Sequence, residues 1–303
     1  MVINKLISAL KRINKMAASI DVKLDCSNRA NYLLNSALTS NESIIAQKPD
    51  ADTELIVSFT TYSKRIHDVH LVVESIAQQT LKPNRLILWL DEDEFTLDTI
   101  PLILKKQMER GLEVCFCPNY RSYKKLIPTL QKYPEANVIT IDDDILYPHD
   151  MIEILCKEHA QHPGLIIGHR AHKMTFNLGK LENYKQWDFQ TTDCKPSDFT
   201  FITTGAGTLF PSRCFSKEAL DSDKFLSLCP NADDVWFKAM SLLNDKPHKK
   251  VTDNRPFWIR FFSLETSQDI ALANSNFVDN GNDPQIKAVF EHYKLNEKLN
   301  KEN

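Results

Sequence analysis

The stretch VITIDDD, residues 138–144, decides the fold, because an apolar run leads directly into three acidic residues. A β-strand turns successive side chains to opposite faces. If the strand continued into the triplet, Asp142 and Asp144 would share one face and Asp143 would point the other way. Two neighbouring carboxylates at a strand end are hard oxygen ligands of the kind that Mg²⁺ and Mn²⁺ take, usually together with phosphates. A solvated acidic turn, or a cap for the next helix, is the alternative interpretation.

Strand and helix patterns alternate from residue 54 onward and predict an α/β fold. Apolar runs of strand length are expected to form strands at residues 55–59, 85–90, 112–117 and 137–141, with a helix in each interval. This order is typical of a mostly parallel, Rossmann-like sheet flanked by helices. Ligands of such sheets bind beyond the carboxyl ends of the strands. The predicted crevice is therefore lined by Thr60, Thr61, Asp91, Asp142 and Asp144.

The second half of the chain has a less regular pattern. We expect a strand at residues 165–167, a strand over 200–210 that TGAG at 204–207 interrupts, and an apolar helix over 232–243. The predicted organisation is a helical extension with its connector over 1–50, an α/β domain over 51–275 and a helical tail over 276–303. Within the domain, residues 51–150 form the first half and residues 151–275 the second.

Composition excludes several classes of function. The net charge of −3 argues against a nucleic-acid-binding protein, which would carry a strong basic excess. The seven cysteines include no C-x-x-C pair, which is typical of a reduced, cytosolic chain. Neither G-x-x-x-x-G-K-[ST] nor G-x-G-x-x-G occurs, so a P-loop and a dinucleotide fingerprint are absent. No apolar stretch reaches the roughly 18 residues that a transmembrane helix needs.

Residues 1–20 have a basic amphipathic pattern. Apolar residues recur at helical spacing, and every charged side chain before Asp21 is basic. Such a helix can lie on an anionic membrane surface, or it can pack its apolar side on the domain that follows. We therefore expect a cytoplasmic protein, with peripheral contact to the inner face of the membrane as one of two open alternatives.

Five segments together resemble the GT-A glycosyltransferases of bacteria, of the family-2-like type that builds capsules and lipopolysaccharide. They are SFTTY at 58–62, ILWLDEDEF at 87–95, ITIDDD at 139–144, TGAG at 204–207 and NADDVWF at 231–237. The resemblance covers roughly residues 54–245 and implies a GT-A fold with an N-terminal helical extension. It also implies a nucleotide-sugar donor bound across the strand ends, with residues 51–150 as the nucleotide-sugar half and residues 151–275 as the acceptor half.

The acidic triplet matches the D-x-D motif of that family. The resemblance implies that Asp142 and Asp144 hold Mn²⁺ or Mg²⁺ on the donor diphosphate, with Asp143 assigned to the donor site. Such a cation would neutralise the charge that develops on the diphosphate as it leaves. His172, at the end of a predicted strand, is assigned as a third metal ligand, and a structural histidine is the alternative.

Five further positions are assigned to the donor. Thr60, Thr61 and Arg65 match the first-strand segment that frames the nucleoside, and Asp91 matches the acidic position that meets the base. Lys124 precedes the D-x-D strand and is assigned to a phosphate. A strand-end turn for the threonines and a helix cap for Asp91 are the alternatives.

The remaining motifs bear on catalysis. Asp233 and Asp234 match the acidic pair of the family, whose second member is the usual catalytic base, and an inverting transfer needs such a carboxylate. Glutamate often stands in the first position of that pair, so the choice between the two aspartates stays open, with helix capping as the alternative. Gly205 and Gly207 would let the backbone approach the donor sugar or acceptor, unless they form a β-bulge.

These assignments predict a metal-dependent glycosyltransferase of the hexosyltransferase type. It would move a sugar from a nucleotide-sugar donor to a glycan or glycolipid acceptor, with inversion, in bacterial surface polysaccharide synthesis. A metal-dependent nucleotidyltransferase or phosphohydrolase is one rival, although the glycine-rich nucleotidyltransferase loop is missing. A catalytically inactive binding protein with the same fold is the other.

Overall fold

The computed structural model describes residues 2–47, 53–264 and 281–299, with side chains from residue 20 onward. The helices are α1 Val2–Thr39, α2 Val69–Ala77, α3 Leu102–Met108, α4 Ile127–Lys132, α5 Met151–Gln161, α6 Ser222–Leu228, α7 Asp233–Leu243, α8 Asn282–His292 and α9 Leu295–Leu299. The strands are β1 Leu55–Thr60, β2 Arg85–Asp91, β3 Leu112–Cys117, β4 Asn137–Ile141, β5 Ile145–Leu146, β6 Ile166–Gly168, β7 Ala171–Lys173, β8 Phe176–Asn177, β9 Lys180–Leu181, β10 Thr200–Ile202, β11 Ala206–Phe210, β12 His248–Lys250 and β13 Phe262–Ser263.

Seven of these strands form the central sheet, in the order β12-β6-β11-β4-β1-β2-β3. All of them run parallel except β11, which is antiparallel to both β4 and β6. The predicted α/β class, with a mostly parallel sheet and helices in the intervals, is confirmed. Because β4, β1 and β2 are neighbours in the sheet, their carboxyl ends meet at one edge.

The sheet is covered on both faces, which explains why its strands read as continuous apolar runs rather than as alternating patterns. Ile139 and Ile141 of β4 point into a core shared with α2, α3 and α5. Val138 points to the opposite face, into a core shared with α4, α7 and α8. The chain is therefore a three-layer structure in which both faces of β4 are buried.

The last turns of α1 dock on the domain. Leu33 and Ala37 are buried, and the Ser36 hydroxyl donates to the Glu74 carboxylate of α2 at 2.9 Å. Glu74 is itself fully buried and bound by Arg110. The side chains of residues 2–19 lie outside the described part, so the choice between membrane contact and packing for residues 1–20 stays a prediction.

The second half departs from its predicted pattern in one respect. The expected strand over 200–210 is two strands in different sheets, since β10 pairs with β7 and β11 enters the central sheet. The interruption falls at the predicted TGAG segment. Near the chain end, α8 packs on α7 through Val289 and Phe290. Among the described helices, none is both long enough and apolar enough to cross a membrane.

Candidate active site

Strand β4 ends at Ile141, and the three aspartates that follow it lie in a turn rather than in a continued strand. The expected alternation therefore does not extend into the triplet. Asp143 is buried and accepts hydrogen bonds from Thr61 Oγ1 and Arg65 Nη1, both at 2.6 Å. Asp144 lies on the same guanidinium, with its Oδ2 3.1 Å from Arg65 Nη2. One arginine thus fixes two of the three aspartates.

Burial raises the pKa of Asp143 to about 6, against the opposing effect of Arg65. The neighbouring Asp144 carboxylate acts in the same direction as burial, because like charges disfavour ionisation. Thr61, Arg65, Asp143 and Asp144, four of the predicted site residues, are therefore in direct contact or share a partner.

Asp142 points away from this group and toward α7. Its Oδ1 lies 2.8 Å from Nζ of Lys125, and the same Nζ lies 3.2 Å from Oδ2 of Asp233. Lys125 is almost completely buried. Burial lowers the pKa of Lys125, but the attraction of Asp142 and Asp233 outweighs burial and raises it well above its ordinary value. This lysine joins two motifs that lie about 90 residues apart in the chain.

Asp234 is held by the TGAG segment. The backbone N–H of Thr204 donates to Asp234 Oδ1 at 2.9 Å, and the Thr204 hydroxyl donates to the same oxygen at 2.5 Å. Burial and the adjacent Asp233 raise the pKa of Asp234, while Lys125 lowers it. Ala232 occupies the N-cap position of α7 and no side chain caps the helix, so neither aspartate serves as the expected cap.

These five carboxylates, Asp142, Asp143, Asp144, Asp233 and Asp234, form what we call the acid cluster. Within the described part of the chain, the cations Arg65 and Lys125 contact it. These contacts of the acid cluster thus involve more carboxylates than cations among the described residues. Burial is the main reason that the pKa values of Asp143 and Asp234 are raised, and the neighbouring carboxylates add to it.

Gly205 makes room for the acid cluster. A Cβ at this position would lie 1.6 Å from Oδ2 of Asp142, so any side chain would displace that carboxylate. The fully buried Tyr147 fixes the contact, since its hydroxyl donates to the Gly205 carbonyl and accepts from the Asp142 N–H. Gly207 has φ +90° and sits where the pairing of β11 with β4 shifts register. The β-bulge alternative therefore holds at Gly207, and the close approach at Gly205 is to Asp142.

Asp91 and Lys124 form a second, smaller pair at the same edge. Asp91 ends β2, Lys124 lies in the 3₁₀ turn Arg121–Lys125, and Nζ of Lys124 is 3.7 Å from Oδ2 of Asp91. Both side chains are buried. Thr60, in contrast, donates its hydroxyl to the Trp89 carbonyl of the neighbouring strand at 2.8 Å. The Thr60 hydroxyl is thus engaged within the sheet, and the assignment of Thr60 to the donor stays a prediction.

His172 lies in an aromatic environment. Its ring is fully buried, packs against Phe189 at a centroid distance of 4.4 Å, and accepts at Nδ1 from the Gln190 N–H. Burial lowers the pKa of His172 to about 3, so the ring is neutral. Among the described residues no three metal-ligating side chains come together. His172 accordingly does not join Asp142 and Asp144 in a three-ligand group, because its strand carries it into the core.

Sequence reasoning missed three residues that shape the site: Lys125, Thr204 and Tyr147. Lys125 stood next to the predicted Lys124, and Thr204 opened a motif in which only the glycines were assigned. Tyr147 carried no signal, because a buried tyrosine that fixes two backbone groups is recognised only once the turn after β4 is known.

Comparison with known proteins finds likeness in fold alone. No family model matches the sequence, and no curated protein matches it. The mannosyltransferase PcManGT from Pyrobaculum calidifontis, in complex with GDP-Man and Mn²⁺, is 15% identical over 79% of this chain and 66% of its own, with a TM-score of 0.40. Residues 1–349 of S. aureus TarS, in complex with UDP, are 14% identical over 67% of this chain and 59% of their own, with a TM-score of 0.43. The chain thus spans less than two thirds of either structure, and a likeness this distant says nothing about shared chemistry.

Proposed function

We propose that the chain is a glycosyltransferase that moves a sugar from a nucleotide-sugar donor to an acceptor hydroxyl. The observation that carries the proposal is the contact of Lys125 with both Asp142 and Asp233. It unites the acids that follow β4 with the acids that open α7 in one site, at the sheet edge where ligands of parallel α/β folds bind.

Asp234 is the residue we assign as general base. Its raised pKa makes the carboxylate a stronger proton acceptor, and Thr204 fixes its orientation through two hydrogen bonds to one oxygen. In the proposed reaction the acceptor oxygen bonds to the anomeric carbon and its proton passes to Asp234. The bond from the anomeric carbon to the diphosphate breaks, and the nucleoside diphosphate leaves. Attack from the side opposite the leaving group inverts the configuration.

The donor side of the proposed site lies at β1 and β2. Arg65 and Lys124 are cations that can face phosphate, and Asp91 offers a carboxylate to a base or a ribose. Thr61 keeps Asp143 in place and thereby orients Arg65. These contacts support a nucleoside diphosphate as the ligand.

The acid cluster also fits a divalent cation. Mg²⁺ and Mn²⁺ are commonly held by one or two carboxylates plus substrate phosphates, without a dedicated protein cage. Asp142, which is half-exposed, and Asp144 would hold the ion. When bound, the cation would neutralise the charge of the leaving diphosphate.

A panel of nucleotide sugars tests the proposal. The correct donor with Mn²⁺ should raise the melting temperature by about 5 °C at saturation, more than either component alone, and should be consumed when acceptor is present. Asp144→Ala should abolish the metal-dependent part of the increase while the protein stays folded. Asp98→Ala, at an exposed position outside the acid cluster, is the matched control. If no nucleotide sugar or nucleoside diphosphate binds with or without metal, the proposal is wrong.

We further propose that α1 brings the enzyme to an anionic membrane surface, where a glycolipid or surface polysaccharide would be extended. Ile20 and Leu24, one turn apart, are exposed and continue the apolar side of residues 1–20 beyond the part that packs on the domain. Deleting residues 1–19 should reduce binding to phosphatidylserine vesicles but not transfer to a water-soluble acceptor. Unchanged vesicle binding would refute membrane contact, and loss of folding would show that the apolar side is core.

A further inference from the structure

A cavity of about 260 Å³ lies at the carboxyl ends of β6 and β12. We call it the Arg170 cavity. Its walls come from His169 and Arg170 after β6, from residues 190–194, and from the segment 250–261 that follows β12. Strands β6 and β12 run parallel to β4, so the cavity opens at the same edge of the sheet.

The charges of the cavity are only partly compensated. Arg255 and Arg260 are bound by Asp150 and Asp253, with the Arg255 contacts at 2.8 and 2.9 Å. Lys250 also lines the cavity, and within the described part of the chain neither Lys250 nor Arg170 has a carboxylate within salt-bridge distance. Two cationic side chains therefore face the cavity without a counter-charge from the residues that the structure describes.

The side chain of Arg170 gives a second indication that the cavity binds an acceptor group. Its Nε is buried and has no hydrogen-bond partner among the described residues. A buried donor without an acceptor is costly and uncommon in folded proteins. His169 beside it adds no charge, because burial lowers its pKa to about 4. An acceptor that enters the cavity with negative charge would satisfy this guanidinium.

Aromatic side chains make the cavity suitable for a sugar as well as for an anion. The guanidinium of Arg170 lies over the ring of Phe257, 5.7 Å from its centroid, which fixes the plane of the charged group. Trp258 lines the cavity with 52% of its surface exposed. An exposed indole offers an apolar face with a polar edge, against which a sugar ring can pack.

The cavity is connected to the proposed base. The carbonyl of Arg170 accepts a hydrogen bond from the Thr203 N–H at 3.1 Å, and the next residue, Thr204, binds Asp234. Burial and Asp234 raise the pKa of the Tyr184 hydroxyl while Arg170 lowers it, so both charges lie near this one phenol. Arg170 is therefore linked to the Asp234 contact through the peptide 203–204, and the charges of Arg170 and Asp234 both act on Tyr184.

We infer that the Arg170 cavity binds the acid group of an anionic acceptor, a sugar that carries a carboxylate or a phosphate, and so presents its hydroxyl to Asp234. The inference rests on the proposed function and names its acceptor class. The donor diphosphate is the less suitable occupant. Strand β11 separates β6 from β4, which sets the cavity roughly 10 Å from the end of β4, and the donor groups lie still farther away at β1 and β2.

Direct binding to the full-length chain tests the inference. The probes are methyl glucoside, methyl glucuronide, methyl glucoside 6-phosphate and inorganic phosphate, measured by calorimetry at low and moderate salt. At least one acidic glycoside should bind about 10-fold or more tightly than the neutral one, and the preference should weaken with salt. The tighter of the two acidic glycosides identifies the acid group as carboxylate or phosphate.

Substitutions test whether the cavity causes the preference for acidic over neutral glycosides. Arg170→Gln should abolish it and Lys250→Gln should reduce it, whereas Arg213→Gln, an exposed arginine outside the cavity, should leave it unchanged. If Arg170→Gln fails to fold, Lys250→Gln and Arg170→Lys carry the test. Equal binding of acidic and neutral glycosides, or a preference that survives in the Arg170→Gln and Lys250→Gln variants, would overturn the inference. Inorganic phosphate that binds as tightly as the acidic glycosides would also overturn it.

UDP and GDP with Mn²⁺ are titrated into the same samples. Nucleotide binding without any acidic-sugar preference refutes the acceptor class and leaves the proposed function standing. Acidic-sugar binding, together with no nucleotide binding in this titration or in the nucleotide-sugar panel, refutes the glycosyltransferase proposal instead.

Discussion

The acid cluster and the Arg170 cavity lie at one edge of the same sheet and have opposite electrostatic character. In the acid cluster, five carboxylates lie together with the cations Arg65 and Lys125 of the described residues, and two of the carboxylates have raised pKa values. In the cavity, Arg170 and Lys250 face the opening without a described carboxylate at salt-bridge distance. The first region gains from a cation and the second from an anion. At this edge of the sheet, a region that favours a cation and a region that favours an anion thus lie within a few strands of each other.

Replacing the proposed base, Asp234, should cause the largest loss of activity. Asp234→Asn keeps the shape of the side chain and can still accept from Thr204, but it removes the proton acceptor. Transfer should fall by about 10²–10⁴-fold while donor affinity stays the same. The matched variant Asp233→Asn should lose less, because Asp233 contacts Lys125 rather than receiving both Thr204 bonds. Rates and donor affinities are measured under saturating Mn²⁺, and near-normal transfer by Asp234→Asn would remove its role as base.

A pair of lysine variants tests whether the acid cluster depends on its cation for stability more than the Arg170 cavity does. Lys125→Met leaves Asp142 and Asp233 without their shared cation, which should lower the free energy of unfolding by about 2–3 kcal/mol. This expected loss is smaller than that for breaking a fully buried ion pair, because Asp142 is half-exposed. Lys250→Met, in the cavity, removes a cation that has no described carboxylate and should change stability by less than about 0.5 kcal/mol. Urea unfolding of both variants measures the difference, and equal losses would contradict the contrast.

The smallest effect concerns pH and Asp143. A carboxyl whose pKa is raised to about 6 in the folded state binds its proton more tightly there than in the unfolded chain. The stabilisation that this carboxyl contributes to the folded state is complete at pH values below its unfolded pKa of about 4. It is lost as the pH rises through about 6. From pH 7 to pH 5 the wild type should therefore gain about 1 kcal/mol relative to Asp143→Asn. Unfolding curves at several pH values measure this, and parallel curves for the two proteins would show that Asp143 does not titrate in that range.

The sequence predicted the positions of β1 to β4 and of α7 to within one or two residues. These elements are buried on both faces or on one broad side, so their apolar runs are long and their ends are marked by polar residues. The direction of β11 was not predictable in the same way. An apolar run of five residues looks the same in a parallel and in an antiparallel strand, and only its neighbours in the sheet decide between them.

Within the site, the residue types were easier to predict than their orientations. The acidic triplet was recognised, but its side chains were assigned to faces on the assumption that β4 continued past Ile141. The turn instead directs Asp142 to Lys125 and Asp143 to Arg65. The sequence did not show which of Lys124 and Lys125 faces which carboxylate. Both lie in a short 3₁₀ turn with about three residues per turn, and the neighbouring strand pattern does not predict the direction of a side chain in that turn.

The antiparallel course of β11 has a consequence for redesign of the protein. Because β11 starts at the edge where its neighbours end, the peptide 203–205 in front of it touches three places in succession. Thr203 donates to the Arg170 carbonyl, Thr204 to Asp234, and the Gly205 carbonyl accepts from the Asp142 N–H. If the cavity binds the acceptor, acceptor selectivity is therefore not transplanted by exchanging the cavity walls alone. A chimaera that keeps residues 203–205 together with the acid cluster should stay active. A chimaera that imports these residues with a foreign cavity would also shift the carboxylates of the acid cluster.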